Sequence, residues 1–154
     1  YCLKIFRQRW YMLAHTIGKE ELRIYSLDRI ADIEVLDTPL LLPENFDATD
    51  FFSDYFGIII GHNIKPSILE LKASAEQAKY LESLPLHSSQ EVVETTPEYT
   101  IFRYRIVPTF DLKQEILSRG ATLEVLSPEW FREEVVSEIK QMINNYQLSK
   151  LPIT

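Results

Sequence analysis

Hydrophobic and polar positions alternate from Arg9 to Ile30, and the alternation reverses around Gly18. Arg9-Trp10-Tyr11-Met12-Leu13-Ala14-His15 runs out and Leu22-Arg23-Ile24-Tyr25-Ser26 returns, which reads as a β-hairpin. On this reading Trp10, Met12 and Ala14 join Leu22 and Ile24 on an apolar face that closes a core. Arg9, Tyr11, Leu13 and His15 join Arg23 and Tyr25 on the opposite face. Arginine and tyrosine together suit a flat, anionic ligand, because a guanidinium forks to an anion and an aromatic ring stacks. Leu3 to Arg7 reads as a preceding strand. Ile30 to Leu36 reads as a following one, with Ile33 and Val35 on one face.

Thr38-Pro39 and Leu42-Pro43 then break the pattern. Asp47 can cap a short helix through about Phe56, with Phe51, Phe52, Tyr55 and Phe56 as its apolar stripe. Gly57 and Gly61 bracket a short apolar segment, and a domain boundary is placed at 57–65, between a first unit at 1–56 and a second at 66–154. Ser67 to Ala73 reads as a strand. Ser74-x-x-Gln77 is a capping box opening a helix to about Leu84. Gln90 to Thr95 and Tyr99 to Val107 are strands split by a turn at Pro97, with Phe102, Tyr104 and Ile106 facing the core. Asp111 can cap a helix carrying Leu112, Ile116 and Leu117, and Gly120 stands where a C-terminal glycine belongs. Ala121 to Leu126 is a strand, and Ser127 with Pro128 starts a final helix to about Tyr146. The fold class is therefore α+β. Its second unit reads β-α-β-β-α-β plus a helix, the split βαβ order of ferredoxin-like folds.

Charge sharpens the hairpin. The chain of 154 residues carries a formal net charge of -7. Residues 1–30 hold six Lys/Arg against three Asp/Glu, while the remainder holds ten against twenty. The positive charge is a local patch, which suits one small anion or a short single strand rather than the broad contact of duplex DNA. The lone Cys2 excludes an internal disulfide framework and fits a reducing cytosol. No apolar run reaches the roughly 18 residues of a membrane span. The chain opens without methionine in strand-like sequence, which points to a piece of a longer protein.

These residues resemble a family. Arg9-Trp10-Tyr11-Met12 with Arg23-Ile24-Tyr25-Ser26-Leu27-Asp28-Arg29-Ile30 is similar to the signature of WYL-domain proteins, with Met12 in place of the leucine. Pro85-Leu86-His87-Ser88-Ser89-Gln90, Pro108-Thr109-Phe110-Asp111-Leu112 and Leu126-Ser127-Pro128-Glu129-Trp130 resemble the C-terminal extension that follows such domains. The resemblance implies a first unit that is part of an Sm-like, SH3-type β-barrel. It implies a cytoplasmic bacterial transcription regulator whose separate N-terminal helix-turn-helix binds duplex DNA. The WYL domain then senses a nucleotide-like or single-stranded nucleic acid effector, and the extension contributes to a homodimer. The barrel's earlier strands are not in this sequence.

The expected ligand-binding residues are Arg23, Tyr11, Arg29, Arg9 and Trp10. Four have a plainer reading: Trp10 as core, Arg29 and Arg9 as members of exposed local ion pairs, and Arg23 as a solvated strand residue. Arg103 and Arg105 share a strand face and form a possible secondary anion site, or else pair with the acids around them. The apolar stripe of the final helix serves the core or, in part, a dimer. His15, His62, His87 and Cys2 show no metal-ligand spacing, and no cofactor is expected. No nucleophile motif or phosphate-cradling glycine loop occurs, so an enzyme is not expected. A purely structural interaction module is the alternative.

Overall fold

The structure, a computed structural model, describes residues 2–16, 22–37, 45–61 and 64–148. The expected hairpin turn at Gly18, the breaks at Thr38-Pro39 and Leu42-Pro43, and His62 lie outside these residues.

The main core belongs to the second unit. β4 (Ser67–Ser74), β5 (Glu91–Thr95), β6 (Tyr99–Ile106) and β7 (Leu123–Ser127) form a sheet in the order β5-β6-β4-β7, every neighbouring pair antiparallel. Alternation along β4, β6 and β7 turns Leu69, Leu71, Ala73, Phe102, Tyr104, Ile106, Leu123 and Val125 to one buried face. Three helices cover it. α2 (Ala75–Ser83) contributes Ala78 and Leu81, α3 (Phe110–Ser118) contributes Leu112 and Ile116, and α4 (Glu129–Leu148) contributes Phe131 and Val135. Ser74 caps α2 as expected, its hydroxyl accepting from the Gln77 N–H at 3.3 Å. Gln90 pins the loop before β5. Its side chain accepts from the Leu86 N–H and the Tyr104 hydroxyl and donates to the Leu81 carbonyl. Gly120 has φ +58°, the left-handed conformation that ends α3.

Two helix starts differ from expectation. Thr109, not Asp111, is the residue before α3, and Asp111 sits inside the first turn. Ser127 ends β7, and the Pro128 carbonyl accepts the Phe131 and Arg132 N–H groups at 3.1 Å to open α4. Each region carries two helix-start signals within three residues, Thr109 with Asp111 and Ser127 with Pro128, so composition alone does not fix the first turn.

The first unit is a meander of β1 (Cys2–Phe6), β2 (Arg9–His15) and β3 (Leu22–Ser26). It is an open three-stranded sheet and does not close into a barrel among the described residues. Arg7 and Gln8 join β1 to β2 with φ of 46° and 66°, the left-handed pair a tight two-residue hairpin needs. No glycine or asparagine marks this turn, which is why it was not legible. Ile30 to Leu36 is not a strand. A strand needs a ladder partner, and no described strand pairs with it; Ile33 and Val35 are exposed. The helix expected after Asp47 stops early, as α1 (Ala48–Phe52), with the Asp47 side chain accepting the Asp50 N–H at 2.9 Å.

The hairpin register also differs. Tyr11 pairs with Ser26, Met12 with Tyr25, Leu13 with Ile24 and Ala14 with Arg23. Leu22 and Ile24 therefore join Tyr11 and Leu13, while Arg23 and Tyr25 join Trp10, Met12 and Ala14. The register is one residue away from the expected one, and a slip of one moves every β3 side chain to the other face. The packed face is the one with Leu13, which is 1% exposed, whereas Trp10 is 51% exposed.

Residues 57–60 cross between the two units. Asp111 holds them: its Oδ2 accepts the Ile58 and Ile59 N–H groups, both at 2.8 Å. Gly57 lies so close to this carboxylate that a Cβ there would stand 2.3 Å from Asp111 Oδ2. Around it, the Val107 N–H donates to the Asp54 carbonyl at 2.8 Å and Arg7 reaches Glu115 at 3.3 Å. Gly57→Ala is expected to displace Asp111 and cost about 1–3 kcal/mol of stability, the range for overpacking. Urea denaturation checks this, and an unchanged midpoint would show that the approach is looser than described.

Candidate functional site

The corrected register decides what the basic, aromatic residues can do together. Leu13, paired with Cys2 and Ile24, anchors the packed face of the first sheet. Further along that face stand Tyr11, Arg9 and Ser26. β3 then runs into a 3-10 turn, Leu27–Arg29, closed by the Ile30 N–H on the Leu27 carbonyl, and the turn brings Arg29 round. Ile58 and Ile59, held by Asp111, complete the wall. Arg9, Tyr11, Ile24, Ser26, Arg29, Ile58 and Ile59 line a half-open cavity of about 310 Å³. That size is at the lower end of small-molecule pockets, roughly 300–1,000 Å³.

Three of the expected ligand residues, Arg9, Tyr11 and Arg29, thus meet at one cavity. Two do not. Trp10 points to the opposite face of the sheet. Arg23 shares that face by register, and it borders an adjoining depression of about 260 Å³ with Leu22, Ile60, and the Ile24 and Ile58 that also line the cavity. Ser26, Ile58 and Ile59 were not foreseen as site residues. The glycines bracketing Ile58-Ile59-Ile60 were the available signal, since an apolar run so short and so bounded reads as a connector until its packing is seen.

The electrostatics are asymmetric. Arg9 Nη1 lies 3.2 Å from Asp28 Oδ2, whereas Arg29 has no hydrogen bond or ion pair to a described residue. The Ser26 hydroxyl donates to the other Asp28 oxygen. That hydroxyl, then its own backbone N–H and the charges of Arg9 and Arg29, hold the Asp28 carboxyl below its ordinary value of 3.8. Beside Tyr11 on the same face, Lys4 lies 3.9 Å from the centroid of the Phe52 ring. Burial lowers the Lys4 pKa, against the opposing pull of Cys2 and Asp111.

Arg103 and Arg105 are committed elsewhere. Arg103 donates through Nε and Nη2 to Glu70 Oε1 at 3.0 and 2.8 Å, and Arg105 Nη1 lies 2.6 Å from Asp54 Oδ1. His87 and Ser89 are junction residues. The His87 Nδ1 accepts the Ser89 N–H at 3.2 Å, and the Ser89 hydroxyl donates to the Arg105 carbonyl at 3.1 Å. Burial lowers the His87 pKa, opposed by a hydrogen bond to the Ser53 backbone and by Asp54, with Lys4 adding to the lowering. Among the described residues, no group of three or more His, Cys, Asp or Glu is placed to hold a metal ion. No described helix is long and apolar enough to cross a membrane.

The family model described as the WCX domain matches residues 67–143, half of the chain. The chain belongs to the WCX-domain family. Ahead of that WCX domain, the model described as the WYL domain matches residues 1–35, which carry β1 to β3. WYL and WCX domains are typical of the ligand-sensing and dimerisation regions of regulators. No curated protein matches the chain.

The Arg9–Asp28 pair sets a testable limit on this WYL–WCX site. Both partners are more than half exposed, so the pair itself contributes little. Asp28→Asn frees Arg9 and removes the carboxylate beside Arg29. If a phosphate-bearing ligand such as a short oligodeoxythymidylate occupies this cavity, its binding tightens about two- to fivefold in this variant. In the wild type Asp28 stays ionised from neutral pH down to its ordinary value of 3.8, so its pairing persists there and is lost only as pH falls through the lowered value. Fluorescence polarisation reads both effects; an Asp28→Asn chain that binds more weakly would contradict the assignment.

Proposed function

We propose that the chain is the effector-sensing and dimerising region of a bacterial WYL-type transcriptional regulator. On this reading it works in the cytoplasm, and a separate helix-turn-helix domain contacts duplex DNA. Its effector is an anionic, nucleotide-like or single-stranded nucleic acid ligand, bound rather than chemically changed. The strand order β5-β6-β4-β7, with α2 after β4 and α3 after β6, supports a ferredoxin-like reading of the WCX unit. The meander β1-β2-β3 supports reading the first unit as part of an Sm-like barrel.

The observation that carries the ligand is the convergence of Arg9, Tyr11 and Arg29 on one cavity with apolar walls, Arg29 having no hydrogen bond or ion pair to a described residue. Arg29 forks to a phosphate, Tyr11 stacks a base, and Ile24, Ile58 and Ile59 exclude water around the ring. The cavity holds about one nucleotide unit at a time, so a longer strand would thread past it. Trp10 and Arg23, on the other face, have no part in this pocket. The exposed Ile139, Met142 and Ile143 on α4, beside an apolar groove of about 530 Å³, support a homodimer contact.

Polarisation titrations with labelled oligodeoxythymidylate and cyclic nucleotides test the reading. Arg29→Ala and Tyr11→Ala are each expected to weaken binding about tenfold or more. Arg103→Ala, whose guanidinium is already held by Glu70, leaves it unchanged. Affinity falls as salt rises, because phosphate contacts displace counterions. A flat titration in the wild type removes the ligand. It would favour the structural reading, for which the specific observation is the exposed apolar face of Leu3, Ile5 and Trp10. Sedimentation that finds only monomer removes the dimer.

A further inference from the structure

Asp111 is far from β3 in sequence, yet it is the group that fixes two residues of the cavity wall. Its Oδ2 takes both the Ile58 and Ile59 N–H groups, and both residues line the cavity with Arg9, Tyr11 and Arg29. Asp111 itself lies in the first turn of α3 and is 8% exposed. About one and a half turns further along α3, Ile116 and Leu117 line the apolar groove with Ile139, Met142 and Ile143 of α4. Lys4, beside Tyr11 on the packed face of the first sheet, adds a charge interaction with the same carboxylate. Two further junction contacts attach away from the cavity. Asp54 meets Val107 and Arg105 at the end of β6, and Arg7 meets Glu115 from the β1–β2 turn. A Cβ at Gly57 would stand 2.3 Å from Asp111 Oδ2, so the segment runs tight against the carboxylate that binds it.

We infer that Asp111 is a positioning residue for effector sensing, which transmits occupancy of the Arg9–Tyr11–Arg29 cavity through residues 57–59 to helix α3 and the α4 groove. This rests on the ligand reading of that cavity. A ligand that seats against Ile58 and Ile59 favours one placement of their backbone. Because the carboxylate of α3 is bound to that backbone, the same ligand favours one placement of α3. The coupling is reciprocal: whatever fixes α3, including a partner across the groove, alters affinity at the cavity by the same factor.

Amide hydrogen exchange on the full chain tests this, in the wild type, Asp111→Ala and Asp111→Asn, each with and without saturating oligodeoxythymidylate. Without the oligonucleotide, Asp111→Ala is expected to speed exchange at Ile58 and Ile59 about tenfold to a hundredfold. Asp111→Asn speeds it less, because a carboxamide oxygen still accepts. β4 and β6 keep their protection. Acceleration spread evenly through β4 and β6 makes Asp111 a general structural residue and overturns the inference. With the oligonucleotide, the wild type is expected to slow exchange at Ile24, Ser26 and along α3. In Asp111→Ala the slowing at Ile24 and Ser26 remains and that in α3 disappears. Equal slowing of α3 in both overturns the inference while leaving the cavity intact. If Asp111→Ala does not fold, Asp111→Asn carries the comparison with a partial loss. If the oligonucleotide slows nothing in the wild type, the ligand reading fails separately, and a ligand-free pair decides the coupling. Ile59→Ala then speeds the first turn of α3 in the wild-type background and does so less beside Asp111→Asn; the same effect in both overturns it.

Discussion

The two backbone hydrogen bonds that Asp111 accepts join the halves of this molecule. The WCX unit has its own core, closed by three helices over one sheet face. The WYL unit has much less: an open sheet whose packed face rests on Leu13, the edge-to-face pair of Phe6 and Phe56, and the segment that Asp111 secures. Hydrogen bonds to an ionised group contribute roughly 1.5–3 kcal/mol each, which is large beside the exposed ion pairs at the same junction. The carboxylate would be costly to bury unpaired, and the two N–H groups would be costly to leave without acceptors. Each half of the contact therefore holds the other in place.

That constraint also explains where the cavity lies. A three-stranded sheet offers no concavity by itself. The pocket exists because Ile58 and Ile59 are drawn beside β3 and the turn Leu27–Arg29 curls Arg29 over the same face. The chain's concentrated positive charge then becomes selective. Arg103 and Arg105 in the acidic second unit are neutralised by Glu70 and Asp54, and Arg9 is tied to Asp28, while Arg29 stays unpaired among the described residues.

Local signals carried most of the WCX unit. Ser74 before Gln77, Gly120 after α3 and the alternation in β4 and β6 are short-range features whose physics is complete within a few residues. The hairpin faces were harder, because Leu22 and Ile24 alternate with Arg23 and Tyr25 and either face can be matched to β2. The choice depends on the number of residues in the connection and on Leu13 finding Cys2 and Ile24, a tertiary fact. Asp111 was legible as a polar residue near a helix start, but its partners lie more than fifty positions earlier, and no spacing rule reaches that far. Residues 30–36 kept the strand pattern without a strand to pair with. Arg9, Tyr11 and Arg29, a basic, aromatic set in the sequence, line one cavity, whereas the register turns Arg23 and Trp10 to the other face.

The most direct test of which face binds is backbone and indole chemical-shift mapping of the chain as a short oligodeoxythymidylate is added. Shifts are expected at Ile24, Ser26, Arg29, Ile58 and Ile59, with the Trp10 indole and the Met12 and Arg23 amides little changed. Shifts centred instead on Trp10, Met12, Arg23 and Tyr25 would place the ligand on the opposite face and contradict the assignment of the cavity.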